Sequence, residues 1–246
     1  MEIRICKTKE ELGASAAHHV AGVLNRCIAE KGHARIVLST GASQFDTIAA
    51  LVKEDVDWTK VDMFHLDEYV DLPETHIASF RRYLRERFVE KLPCALRSVN
   101  FVDGTKEGIE ALTKKLREDV IDIGLIGIGE NTHIAFNDPP ADFNTREAYI
   151  IVNLDEACRR QQMGEGWFPT FDDVPKQAVS MTTYQIMQCK EIVSCVPYAV
   201  KANALYKTLN THETTPMVPS TLLKEHENFL IYADADSAKD IISFTF

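Results

Sequence analysis

The chain is poor in the residues that mark metal and redox sites. Its six cysteines stand at 6, 27, 94, 158, 189 and 195, with no CxxC among 246 residues. That scatter describes neither a zinc knuckle nor a disulfide framework, so the cysteines are read as reduced and mostly buried in a cytosolic protein. His18 and His19 are adjacent and cannot share a helix face, while His76, His212 and His226 have no partner at ligand spacing. No metal site is expected. Long apolar runs are also lacking, and the opening MEIRICKTKEEL has no secretion-signal core. Neither a membrane partner nor export is expected. Basic residues are outnumbered, 27 Lys and Arg against 37 Asp and Glu, giving a net charge of −10. A nucleic-acid partner needs a basic face, so none is expected. The glycines do not form GxGxxG, and no GxxxxGK[ST] is present, which disfavours a dinucleotide or a P-loop.

What is present alternates. Strands are expected at 2–6, 35–38, 61–66, 99–102, 121–128, 149–153, 177–181, 191–196 and 228–232. Between them lie helical patterns, the first opened by Thr8-Lys9-Glu10-Glu11 at capping-box spacing and running to Gly32. No repeat, linker or domain boundary interrupts them. The fold class is α/β: one domain over 1–246, a three-layer α/β/α sandwich on a mostly parallel sheet. Residues 164–173 read as an irregular exposed insertion, a candidate lid.

Three strand ends could carry chemistry. The apolar run from Ile121 to Ile128 ends in Gly129-Glu130-Asn131-Thr132 and delivers His133, with Asp138 five residues on. A buried parallel strand that ends this way can place a base and the carboxylate that orients it at the functional edge of an open sheet. Ser39-Thr40-Gly41-Ala42-Ser43 joins a strand to a helix. Its amides would point outward at the positive end of the helix dipole, a cradle for phosphate; an ordinary βα turn would look the same. Asp67-Glu68-Tyr69 ends another apolar strand, where Asp67 could be a general base or a solvated cap. Lys201, Arg159 and Arg160 could meet an anion or remain surface charges.

Taken together these strings resemble the glucosamine-6-phosphate deaminase/isomerase family, in a superfamily shared with 6-phosphogluconolactonases. The matching pieces are LSTGAS at 38–43, FHLDEYVDLP at 64–73, GIGENTHIAFNDP at 127–139, DVPKQAVSM at 173–181 and VPYAVKANAL at 196–205. The resemblance implies Rossmann-like topology, no cofactor, and conversion of an aminosugar phosphate to a ketose phosphate and ammonia. It implies that Asp67 moves the proton between C2 and C1. It further implies ring opening by His133 with Asp138 behind it. Thr40, Gly41, Ala42 and Ser43 would bind phosphate with Lys201 and Arg159 or Arg160, and Glu68 is placed with the substrate-binding residues. A small sugar phosphate is the expected partner, and a homo-oligomer is left open.

The loop departs from the family's usual Gly-Asn-Asp-Gly-His. Asn131 stands where an aspartate joins the histidine, Thr132 replaces glycine, and Asp138 replaces glutamate. An amide can orient an imidazole but cannot face an imidazolium as an anion does, and a β-branched residue resists positive φ. A divergent member is therefore expected. A 6-phosphogluconolactonase-type hydrolase and a non-catalytic sugar-phosphate sensor are the rival readings.

Overall fold

The computed structural model describes residues 1–164 and 166–242. Strand β1 (Glu2–Cys6) leads into α1 (Lys9–Lys31), whose first turn is capped by the Thr8 hydroxyl accepting from Glu11 N. Then follow β2 (Ala34–Leu38), α2 (Phe45–Leu51), β3 (Val61–His65), β4 (Asp67–Tyr69), α3 (Phe80–Arg87) and β5 (Ser98–Asn100). The chain continues through α4 (Lys106–Leu116), β6 (Ile123–Leu125), β7 (Tyr149–Asn153), α5 (Glu156–Gly164), β8 (Gln177–Met181) and α6 (Thr183–Ile186). It closes with β9 (Glu191–Val196), α7 (Ala202–Asn210), β10 (Phe229–Asp234) and α8 (Lys239–Ile242).

Seven strands form one sheet in the order β1-β10-β9-β6-β2-β3-β5, every neighbouring pair parallel. Alternation along β2 shows why the sheet is covered twice. Ile36 and Leu38 pack with Leu12, Val20 and Leu24 of α1, while Val37 packs with Leu205 of α7 and Ile186 of α6. The expected sandwich is present. From β2 the chain runs outward to β3 and β5, then returns to place β6 on β2's other side. The carboxyl ends of β2 and β6 therefore flank the point where strand order reverses, the usual crevice of an open α/β sheet.

One feature of the sheet pattern was not expected. Strands β4, β8 and β7 form a separate antiparallel sheet. The break comes at Leu66, whose N–H still donates to Leu38 O at 3.2 Å while its carbonyl accepts from Met181 N at 2.9 Å. One residue later Asp67 pairs with Ser180. The main sheet thus hands Asp67 to a second sheet at its functional edge. The expected insertion at 164–173 includes Glu165, which lies outside the described residues. Beside it, Phe168 is buried, edge-on to Tyr69 at 5.6 Å, so this part of the segment is anchored.

Candidate active site

A cleft of about 380 Å³ opens at the carboxyl ends of β2, β6 and β9. Among the expected residues, Thr40, Gly41, Ala42, Ser43, Asp67, His133 and Lys201 all line it. Loops from distant parts of the chain meet here because parallel strands end on one edge.

The wall after β2 is the anion cradle. Residues Ala42–Gln44 form a 3-10 turn that runs directly into α2. The amides of the first turn have no intrahelical acceptor and face the helix's open end. Gly41, at φ 99 and ψ 167, sits in a region essentially reserved for glycine. Ser39 Oγ, also at the cleft, is buried and has no hydrogen-bond partner. Lys201 reaches the same cleft from the turn after β9.

Asp67 is buried at the start of β4. Burial, and then the neighbouring Glu68 carboxylate, push its carboxyl up to about 8. Such a group keeps its proton at neutral pH until a cation or solvent change draws it off.

The His133 loop is held from behind. Gly129 N donates to His133 O and Thr132 N to Gly129 O, both at 2.9 Å. Asn137 is buried and donates to Ile134 O at 2.7 Å and Met181 O at 2.9 Å, while Phe136 N donates to Ser180 Oγ at 3.0 Å. Thr132 adopts φ 76 despite its β-branch, a cost of about 1–3 kcal/mol carried by its surroundings. One of these is Ser220 N, which donates to Thr132 O at 3.0 Å. The substitution therefore strains the loop without abolishing it.

His133 Nδ1 stands 3.2 Å from Asp138 Oδ1, an ion-pair distance, without hydrogen-bond alignment. Asn131 does not replace the missing anion at the ring. Its Nδ2 donates to Asp138 Oδ1 at 2.9 Å, and its Oδ1 accepts from His133 N at 3.1 Å. Burial raises the Asp138 carboxyl, but His133 and Asn131 outweigh it and hold the group below the usual carboxylate range. Asp138 stays anionic behind the imidazole, and neither it nor Asn131 lines the cleft. Gly129 makes room for the ring, because a methyl group there would overlap the imidazole. Gly129→Ala is expected to displace His133 and lower kcat about 10²-fold, with a thermal melt as the check on folding; unchanged kcat would show that the ring position is unimportant.

Two expected substrate contacts are corrected. Glu68 is fully buried and points to α3, not the cleft. Its carboxylate accepts from Tyr69 N (2.9 Å), Phe80 N (3.1 Å), Arg81 N (2.8 Å), Ser79 Oγ (2.8 Å) and Arg81 Nε (3.0 Å). Arg159 is buried too, donating to Phe171 O at 2.8 Å and Val174 O at 3.0 Å. Arg160 is exposed and pairs with Glu156 at 3.4 Å. Neither arginine lines the cleft. Sequence reasoning also passed over Glu130, Tyr83, Tyr198, Gln162 and Trp167, which do. Glu130 lay inside the singled-out loop and was readable; the others depend on tertiary packing.

Among the described residues, no group of three or more His, Cys, Asp or Glu could hold a metal ion, and no helix is long and apolar enough to cross a membrane.

The family described as glucosamine-6-phosphate isomerases/6-phosphogluconolactonase matches residues 7–231. A glucosamine-6-phosphate deaminase of Staphylococcus epidermidis is 34% identical, over 92% of this chain and 96% of its own. One from Shouchella clausii is 31% identical, over 97% of this chain and 96% of its own. A solved monomeric glucosamine-6-phosphate deaminase superposes with a TM-score of 0.85 at 28% identity, covering 97% of this chain and 99% of its own. A 6-phosphogluconolactonase from Shewanella baltica has a TM-score of 0.78 at 16% identity, over 96% and 98% of the two chains, and shares the fold. The chain belongs to the glucosamine-6-phosphate isomerase/6-phosphogluconolactonase family.

Proposed function

We propose that this chain is an aminosugar-phosphate isomerase/deaminase that converts glucosamine 6-phosphate to a ketose 6-phosphate and ammonia. One observation carries the reading. A single cleft joins an anion cradle, a buried carboxyl held near pH 8, and a histidine backed by an anionic carboxylate. Relatives named as deaminases at 34% and 31% identity support it.

The phosphate binds the amides of 42 and 43 with Lys201, and its binding energy fixes the reacting carbons. His133 moves the proton between O1 and the ring oxygen as the ring opens, and Asp138 stabilises the transient imidazolium. A substrate ammonium brought near Asp67 favours its charged form, so the carboxyl proton leaves to solvent. The carboxylate then takes the C2 proton while an ammonium proton passes to O1, leaving an enolamine, and returns the proton to C1. The resulting 2-imine takes up water and releases ammonia, leaving the ketone. Water enters only at this last step, which is the sense in which the reaction is hydrolytic. Asn131 does not prevent this, since Asp138 supplies the charge the imidazolium needs.

The test is ammonia and fructose 6-phosphate formation from glucosamine 6-phosphate, expected at about 1–10³ s⁻¹. Binding without turnover would favour a sensor. Acid release from 6-phosphogluconolactone in its place would favour the hydrolase.

A further inference from the structure

The cradle turn carries two hydrogen bonds that its own backbone does not require. Gly41 O already accepts from Gln44 N at 3.0 Å, closing the 3-10 turn, and also accepts from Tyr83 Oη at 3.0 Å. Ala42 O already accepts from Phe45 N, and also accepts from Tyr198 Oη at 3.3 Å. A carbonyl has two lone pairs, so each tyrosine takes the second. The two rings come from opposite sides of the chain, Tyr83 from α3 and Tyr198 from the loop after β9, and both line the cleft.

Both tyrosines are themselves held. Tyr83 is stacked on Phe45 at 5.6 Å, with Arg87 over both rings. Tyr198 sits at φ 76, a strained value for a side-chain-bearing residue, and its N–H donates to Asp234 Oδ2 at 2.9 Å. Its carbonyl accepts from Lys201 N at 3.0 Å, so the turn bearing the cleft lysine is tied to the ring that braces the cradle.

We propose that Tyr83 and Tyr198 are positioning residues that lock the 41–43 peptide planes, so that the Ala42 and Ser43 amides face a phosphate. In a trans peptide, C=O and N–H point in opposite directions. Holding the Gly41 and Ala42 carbonyls along the helix therefore aims the following amides out of its start, toward the open face of Gly41. A ligand is indicated independently by Ser39 Oγ, buried at the same cleft with no partner. The inference rests on the anion-cradle part of the proposed function and not on the deamination step.

The test is calorimetric titration of inorganic phosphate into the wild type, Tyr83→Phe and Tyr198→Phe, with steady-state kinetics beside it. Phenylalanine keeps both rings and removes only the hydroxyls. Each variant should weaken phosphate binding and raise KM by about 5- to 10-fold, with kcat within about 2-fold and an unchanged thermal melt. Wild type that binds phosphate, with variants binding equally well, overturns the proposal alone. Wild type that binds no phosphate overturns the cradle and the proposal together. Weakened phosphate binding in a protein that releases no ammonia leaves the proposal standing and removes the deaminase reading. A fall in kcat with phosphate affinity unchanged would place the hydroxyls in the chemistry and overturn the positioning role.

Discussion

Asp67→Asn is expected to lower kcat on glucosamine 6-phosphate by about 10³-fold or more, while the sugar phosphate still raises the melting temperature by binding. In the wild type, the base must first lose a proton held up to about 8, so kcat/KM should climb with pH to a limb near that value. An ammonium on the bound substrate favours the carboxylate, so the limb in kcat should lie lower. Stability supplies an independent reading. The folded carboxyl titrates well above the unfolded value of about 3.9, so its contribution is complete below that pH and is lost as pH rises through about 8. Asparagine never ionises. The variant should match the wild type near pH 4 and then gain on it, reaching an advantage of roughly 10 °C by pH 9. Surviving turnover, or a melting difference that ignores pH, would remove Asp67 from the mechanism.

The neighbouring acid shows where the sequence misleads. Asp67 and Glu68 look alike in the string DEY, the first expected as the catalytic base and the second among the substrate-binding residues. Successive residues of a strand face opposite ways. In β4 that turns Asp67 to the cleft and Glu68 to the amino end of α3. The pairing partner that fixes this, Ser180 on β8, lies more than a hundred residues away and carries no local mark. Arg159 failed for a related reason. Its position early in α5 suggested an anion, but the carbonyls of Phe171 and Val174 curl back to take its guanidinium. The cradle, His133 and Lys201 were legible because each sits directly after a strand, where parallel order alone brings loops together. The β-branch of Thr132 disfavours positive φ, yet the loop accepts φ 76. The bonds that hold it, from Ser220 and through Asn137, are tertiary.

Glu68 therefore matters through what it holds. Its carboxylate takes five donors, and Arg81, largely buried itself, is its ion-pair partner at 3.0 Å. In Glu68→Gln one oxygen remains to accept from Tyr69 and Phe80. The new amide turns its own hydrogens toward Ser79, Arg81 N and Arg81 Nε, which are all donors. Arg81 is left a buried cation without its anion, and the first turn of α3 loses an acceptor. The expected loss is about 3–5 kcal/mol, a fall in melting temperature of roughly 10 °C for a chain of this size. A second effect follows from charge. Glu68 is the lesser of two causes that raise Asp67, burial being the greater. Its neutralisation should move the kcat/KM limb to lower pH without bringing Asp67 to an ordinary carboxylate value. A destabilised variant whose limb stays put would confine Glu68 to the scaffold. A limb that moves in a protein of unchanged stability would show that the α3 bonds contribute little, and that Glu68 acts on Asp67 through its charge alone.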